Sequence, residues 1–533
     1  MLKTISPLEM KRIETRAIEE GGQTGEQLMQ RAAAHVAQAA RRFLQPQSGH
    51  VLAVCGTGNN GGDGIAALRM LCAEDSALSA TLWLMDGALS PDCTRELARL
   101  QAEAPQAQVV RISQDAALPA LPMPSGTGCI VDALFGTGLS RPLTGAAALL
   151  CEQMSAAHKS GTAVISVDIP SGLHGESGEV MGAAVHATET VTFHRPKPGL
   201  WLGMGPSYAG RIRTVDIGIP AHFDDAAGFH VLQPADLSLL LPPRNPVSHK
   251  GSYGRVLVIA GSRGMAGAAA LCATAALRTG AGLVTVACPD DIVDTVQTLC
   301  PCATCIPLPL HDAQGAWEAL LPALSQADAA SVGCGLGTGT ETALLWEKVM
   351  LHLHAYQMPA ILDADGLNLL AQRKNNADAC KEGGFLTIRF CPKQILTPHP
   401  AEAARLLRCT VADITKDAPS AARLLAKIYG TSVLLKGATS VMVSNARNAA
   451  GEALGTLGTP ALAKGGSGDV LTGVLAALLA NAAKGALSLS ALDVMQIGCA
   501  LHGLAGQAAT KQYGERGVLA TDVCAFLGRE LGE

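Results

Sequence analysis

The feature that most constrains this chain is a rhythm. Short runs rich in Val, Ile and Leu alternate with stretches of helical length, and the rhythm stops and then begins again. Residues 50–56, 81–86, 129–134, 163–169, 188–193 and 211–217 read as strands, with helices over 64–72 and 146–157. Residues 6–42 also read as helical and are expected to pack on the same sheet. Strands separated by helices imply a parallel sheet covered on both faces, because a crossover is needed to bring the chain back to the start of the next parallel strand. Residues 220–246 break the pattern and end in LPPRNP, a proline-rich boundary signal. Strands are expected again at 256–260, 283–287, 330–333, 360–363, 394–397 and 432–436, with helices at 266–280, 401–407, 469–480 and 494–510. The length of 533 residues, at roughly 100–200 per domain, agrees with this division. The expected fold class is α/β, with two αβα domains over residues 1–220 and 245–533 and a linker over 221–244. The first sheet is expected to be Rossmann-like and mainly parallel.

Composition narrows the function classes. The chain is 48% hydrophobic and 16% charged, enough to build two cores and far from a disordered composition. Its net charge of −5 carries no long single-sign run, which argues against nucleic-acid or membrane-surface partners. Residues 1–20 are charged and lack the apolar centre of a signal peptide. No run approaches the roughly 20 apolar residues that span a bilayer. With 16 scattered cysteines, the expectation is a cytoplasmic protein with reduced thiols. Cys300, Cys302 and Cys305 cluster locally, but without a fourth ligand they read as ordinary thiols rather than a zinc site. The 58 glycines suit loops in which backbone meets ligand. The small-residue helices permit packing between copies, and a homo-oligomer is expected.

In the first half, the apolar run ending at Cys55 enters GTGNNGGDG, Gly56 to Gly64, and then a helix. A glycine-rich turn between strand and helix presents backbone N–H groups to phosphate, aided by the helix dipole. Gly56, Gly58 and Gly61 satisfy GxGxxG, and Asp86 ends the next strand where a ribose-binding acid would stand. Taken alone this is a weak dehydrogenase signal beside the plainer reading of a tight turn with Asp63 as a helix cap. Two further strands end in an acid and a polar loop, DALFGTGL from Asp132 and DIPSGL from Asp168. Loops at the carboxyl ends of parallel strands converge on one edge. There they could bind a polar ligand and a hard monovalent cation through oxygens. Together, CGTGNNGGDG, DALFGTGL, VDIPSGL and TVTFHRPKPGL resemble the NAD(P)H-hydrate epimerase domain over about residues 1–220. The resemblance implies that Asn59, Asn60, Gly61, Gly62 and Asp63, with Gly136, Thr137, Gly138, Leu139, Ser140, Arg141 and Pro142, line the hydrated-nucleotide (NADPHX) site. It also implies that Asn60, Asp132 and Ser171 bind potassium (K+), and that Asp168 contacts substrate and serves the proton chemistry. Gln30 and Ala33 stand where the family often has Glu and Gly.

The strongest local signal in the second half is KGGSGDVLTG, Lys464 to Gly473, entering an Ala- and Leu-rich helix. Its glycines free backbone amides at a helix start, which stabilise charge on a transferring phosphoryl group. Asp469 is placed to deprotonate a substrate hydroxyl, the arrangement of a ribokinase-like phosphotransferase. The plainer reading leaves it only a helix cap. LLKGATS from Leu434, DADGLN from Asp363, TPHPAE from Thr397 and GCGLG from Gly333 each follow an apolar strand. His399 could equally be a satisfied loop histidine. With NPVSHKGSYG from Asn245 and GSRGMAGAAALCATAALRTGAGLV from Gly261, these segments are similar in order and spacing to the NAD(P)H-hydrate dehydratase domain over about residues 245–525. The resemblance implies a nucleotide on Lys436, Gly437, Ala438, Thr439, Ser440 and Gly468. It implies a hydrated substrate facing Gly267, Gly337, His399 and Asp469, with Mg2+ and, as in bacterial members, ADP as co-substrate. Cys334 replaces a usual proline, and Gly366 a usual alanine.

The leading expectation is therefore a bifunctional repair enzyme with the small molecules NADHX, NADPHX and ADP as partners. One domain would equilibrate the epimers, and the other would dehydrate the S form. Three alternatives stand beside it: a ribokinase-like vitamin or sugar kinase with an accessory nucleotide-binding domain, a nicotinamide-nucleotide sensor without activity, and an oxidoreductase. The last is weakest, because NNGGD departs from the dehydrogenase fingerprint and half of the chain looks like a kinase.

Overall fold

The computed structural model describes residues 2–44, 49–113, 122–379, 390–445 and 451–529. Two compact units emerge, one over Lys3–Phe229 and the other from His230 onward together with Leu2. The stretch expected as a linker is divided between two cores. Phe223, Ala226 and Phe229 are buried in the first unit, where Asp224 pairs with Arg195 at 2.5 Å. Leu232 and Leu237 are buried in the core of the second. The prolines mark a break in the rhythm, while apolar residues among them still bind the segment to a core.

In the first unit seven parallel strands lie in the order Gln108–Ile112, Ser79–Met85, His50–Cys55, Thr127–Ala133, Ala163–Val167, Glu189–Phe193 and Arg211–Val215. The chain winds outward from His50–Cys55 in one direction, then returns and winds in the other. The reversal between His50–Cys55 and Thr127–Ala133 splays the two following loops apart and opens a crevice at the carboxyl edge. Residues 6–42 form two helices. Pro7–Glu19 is capped by Ser6, and Gly25–Arg41 by a Thr24–Gln27 capping box. Gln30 bridges Arg69 and Glu96 within this unit, at 2.7 and 2.8 Å.

The second unit repeats the principle with a different order. From Ser432–Leu435 the parallel strands run Gln394–Leu396, Ala360–Leu362, Ala329–Val332, Arg255–Ile259, Leu283–Pro289 and Thr304–Leu308. Beyond Ser432–Leu435 an antiparallel hairpin, Ser440–Ser444 with Gly451–Gly455, extends the sheet. The reversal here lies between Arg255–Ile259 and Ala329–Val332, so the loops leading to Gly267 and Gly337 flank the crevice. Helices Ala266–Thr279 and Ser467–Ala483 pack closely because Gly473 has no side chain; a Cβ there would lie 2.1 Å from the Cys272 carbonyl oxygen. Among the described residues no helix is long and apolar enough to cross a membrane.

Candidate active sites

The first site is built on three strand ends. Helix Asn59–Glu74 begins five residues before the expected start, so Asn59 to Asp63 form its first turn rather than a loop ahead of it. Gly61 makes this turn feasible, since a Cβ there would sit 2.0 Å from the Gly56 carbonyl oxygen. The next loop meets this turn, with Gly136 directly against the Asn60 side chain. Asp132, fully buried at the end of Thr127–Ala133, gathers the third loop. Its Oδ1 accepts from the Ser171 hydroxyl at 2.5 Å, and its Oδ2 from the Ser171 N–H at 2.9 Å and the Ser166 hydroxyl at 2.7 Å. The Phe135 N–H donates to Ser171 Oγ at 2.8 Å. Burial raises the Asp132 pKa, although these hydrogen bonds oppose it. Buried Asn60 Nδ2 has no partner among the described residues.

Asp168 stands at the end of Ala163–Val167 with φ +64, a left-handed conformation that is strained for a residue with a Cβ. One carboxylate oxygen, Oδ1, accepts from the Lys197 ammonium at 2.5 Å, and from the Thr192 hydroxyl and Phe193 N–H at 3.1 Å each. Lys197 is fully buried and also donates to the Phe193 carbonyl at 3.3 Å. Oδ1 is thus engaged three times, and Oδ2 takes no part in these bonds. Two more acids share this electrostatic environment. Burial pushes Glu14 up to about 7 against the pull of Lys197, and burial with Asp168 and Glu14 pushes Asp63 well up. Sequence reasoning missed Glu14 and Lys197. The HRPKPG segment holding Lys197 was visible, but its pairing with Asp168 lies 29 residues away. Ser140, Arg141 and Pro142 are exposed beyond the Gly136 turn.

The second site centres on a cavity of about 490 Å³ bordered by His399, Lys436, Gly437, Ala438, Ser440 and Gly468. Gly466 starts helix Ser467–Ala483 at φ +90, which turns the following amides toward this cavity. Half-buried Lys436 donates to Asp363 Oδ1 at 2.6 Å, and the Thr472 hydroxyl to Asp363 Oδ2 at 2.7 Å. Burial opposes the ammonium charge, but Asp363 and Glu402 more than offset it and raise the Lys436 pKa. Asp469, in the first turn of the helix, is raised mainly by burial, with the Cys334 thiol hydrogen bond acting in the opposite direction. His399 has the satisfied loop role that the plainer reading gave it, and it also borders the cavity. It caps helix Pro400–Leu407 through Nδ1, which accepts from the Ala401 N–H at 3.1 Å. Burial lowers its pKa and raises Glu402 to about 7. His502, missed from the sequence, borders the cavity with Nε2 3.2 Å from Ser467 Oγ. Burial pushes it down to about 4, so it is neutral at physiological pH.

Gly267 and Gly337 lie at the crevice rather than on this cavity. Gly267, in the first turn of Ala266–Thr279, faces open space, and Gly337 donates its N–H to Asp365 at 2.8 Å. Thr439 joins the cavity residues to the hairpin through Ser440, the first residue of its strand. Cys300, Cys302 and Cys305 are free thiols.

A crevice with a buried oxygen cluster, and a second unit with a glycine-started helix beside a Lys–Asp pair, define a two-site nucleotide enzyme whose second site is of phosphotransferase type. The family model described as NAD(P)H-hydrate dehydratase matches residues 256–529, and the one described as YjeF-related protein N-terminus matches residues 25–199. A bifunctional NAD(P)H-hydrate repair enzyme of Coxiella burnetii is 34% identical over 488 residues, covering 90% of each chain. One of Escherichia coli is 33% identical over 526 residues, covering 98% of this chain and 92% of its own. A solved ADP/ATP-dependent NAD(P)H-hydrate dehydratase of Bacillus subtilis is 26% identical, covers 57% of this chain and 98% of its own, and has a TM-score of 0.46. The chain belongs to the family of bifunctional NAD(P)H-hydrate repair enzymes.

Proposed function

We propose that the first unit interconverts the R and S epimers of NADHX and NADPHX, and that the second dehydrates the S epimer with ADP. The single observation that best supports this reading is the pair of unlike acid sites: Asp168 clamped by Lys197, and Asp469 at a glycine-started helix beside Asp363 and Lys436. Epimerisation at a hydroxylated carbon beside a ring nitrogen needs a proton acceptor and tolerance of a cationic iminium. Asp168 Oδ2 supplies both, as a base and as a negative charge near the developing cation. A potassium ion fits the oxygens of Asp132, Ser171 and Asn60. Turning over the Asn60 amide replaces its unpartnered nitrogen with an oxygen. Such an ion would supply fixed positive charge for binding the nucleotide.

In the second unit Asp469 takes the proton of the hydrate hydroxyl, whose oxygen attacks the β-phosphorus of ADP, and AMP leaves. The ring nitrogen then expels phosphate, and loss of a proton from the adjacent carbon restores the dihydropyridine. A raised Asp469 pKa makes it a better acceptor than an ordinary carboxylate. Lys436 and the amides of the helix start hold negative charge on the transferring group. The described residues bring together no group of three His, Cys, Asp or Glu side chains that could hold a metal. Magnesium would therefore be held chiefly by nucleotide phosphates and water, as is usual for this ion, and would neutralise phosphate charge. The test is product analysis of purified protein with S-NADHX and ADP: NADH, AMP and phosphate should form in equal amounts. No NADH from this mixture, together with a stable phosphorylated product when a vitamin or sugar is supplied with the nucleotide, would establish the kinase alternative instead.

A further inference from the structure

One wall of the nucleotide cavity is the helix Ala491–Tyr513, which turns Cys499, His502 and Gly503 toward it. Spacings of three and four put these residues on one helix face. Two glycines let that face come close to its neighbours. A Cβ on Gly503 would lie 2.4 Å from the Leu457 carbonyl oxygen, and one on Gly506 would lie 2.8 Å from the Leu462 side chain. His502 is the bulkiest of the three lining residues and is buried. Burial pushes its pKa down to about 4, and the Lys436 ammonium acts in the same direction. The group bordering the nucleotide is therefore a neutral imidazole, which supplies no charge. It supplies one donor and one acceptor.

The Nε2 of His502 lies 3.2 Å from the hydroxyl of Ser467, itself buried. Ser467 is the first residue of helix Ser467–Ala483 and borders the same cavity. A Cβ on the next residue, Gly468, would lie 3.5 Å from Lys436 Nζ. Ser467 thus stands between the imidazole and the part of the cavity where Lys436 and the helix-start amides meet. A hydroxyl has a single hydrogen to give. Given to His502, it is spent; if the imidazole donates instead, the hydroxyl keeps its hydrogen for a phosphate oxygen. The Ser467 backbone favours the second arrangement. It raises the His502 pKa against burial, as an acceptor facing the ring does, and so favours a hydrogen on the side turned toward Ser467.

We propose that His502 donates its Nε2–H to Ser467 Oγ and so positions the Ser467 hydroxyl to donate to the phosphoryl group in transfer. This rests on the dehydratase reading and adds a side-chain donor to Lys436 and the helix-start amides. His502 is a positioning residue, because it acts through Ser467. Two measurements test the pair. Nitrogen-15 NMR of histidine-labelled protein reads the tautomer without any turnover. One imidazole should stay in the Nε2–H form between about pH 5 and 8, vanish in His502→Leu and shift in Ser467→Ala. The second measurement is dehydration of S-NADHX. Ser467→Ala and His502→Leu should each lower kcat about tenfold or more and change the KM for ADP less than about twofold. His502→Gln keeps an N–H donor and should recover part of the loss. The double variant should lose no more than Ser467→Ala alone, because His502 then has nothing to position. An Nδ1–H tautomer would overturn the proposal, as would full kcat in His502→Leu or losses that multiply in the double variant. Should His502→Leu not fold, His502→Gln in the wild-type and Ser467→Ala backgrounds carries the same comparison. A folded wild type without dehydration would remove the dehydratase reading, whereas the tautomer and its response to Ser467→Ala decide the His502–Ser467 bond by themselves.

Discussion

In the first unit the aspartate proposed to meet substrate is itself the partner of a buried lysine, Asp168 with Lys197 at 2.5 Å. In the second unit the lysine pairs with one aspartate, Asp363 with Lys436 at 2.6 Å, and the proposed base is another, Asp469. The two proposed chemistries account for the difference. An epimerase site benefits from a carboxylate kept next to a cation and aimed by its clamped oxygen. In the proposed phosphoryl transfer the lysine would serve phosphate, and the proposed base stands on a separate helix start with its pKa raised by burial.

The largest effects should come from breaking each acid separately. Asp469→Asn is expected to lower dehydration of S-NADHX by about 10²–10⁴-fold while leaving epimerisation intact. Asp168→Asn should do the converse, with a loss of similar order in exchange between separated epimers followed by chromatography. Removing the lysines sharpens the contrast. Lys197→Met leaves a carboxylate unpaired beside a buried site and should destabilise the first unit by about 3–5 kcal/mol. Lys436→Met leaves Asp363, which is more deeply buried than Asp168, without its cation, so it should destabilise the second unit by a comparable amount and also weaken ADP binding. Chemical denaturation and ADP titration read these two outcomes.

The smallest expected effect concerns a glutamate in each unit. Glu14 and Glu402 are both pushed up to about 7, mainly by burial, from an ordinary value of 4.5. The folded state therefore binds these protons more tightly than the unfolded state does. Their contribution to stability is fully present below about pH 4.5 and is lost as pH rises toward and through about 7. Glu14→Gln and Glu402→Gln should each flatten the fall in Tm between pH 5 and 8. A slope unchanged from wild type would remove that glutamate from the account.

Much of this was legible in the sequence because parallel strands buried on both faces write themselves as continuous apolar runs. The runs at 50–56 and 256–260 became His50–Cys55 and Arg255–Ile259, central strands with glycine loops at their carboxyl ends. The edge strands Gln108–Ile112 and Thr304–Leu308 were missed, since each is partly exposed and interrupted by polar residues or proline. The start of helix Asn59–Glu74 was misplaced because glycines read as loop by propensity. Here close approach to Gly56 demands them inside the first turn. Acids and glycine loops could be picked out one by one. Their partners could not, because Lys436 lies 73 residues from Asp363 and Ser171 lies 39 from Asp132. Only the sheet order brings them together.

The division of labour between the two aspartates is tested most directly by recovery of absorbance at 340 nm from a mixed-epimer NADHX sample with ADP, Mg2+ and potassium. Wild type should recover the whole sample. Asp168→Asn should promptly recover only the S fraction, with the remainder following at the slow uncatalysed rate. Rapid full recovery by Asp168→Asn would contradict the account, as would the absence of nucleotide-dependent recovery from folded wild-type protein.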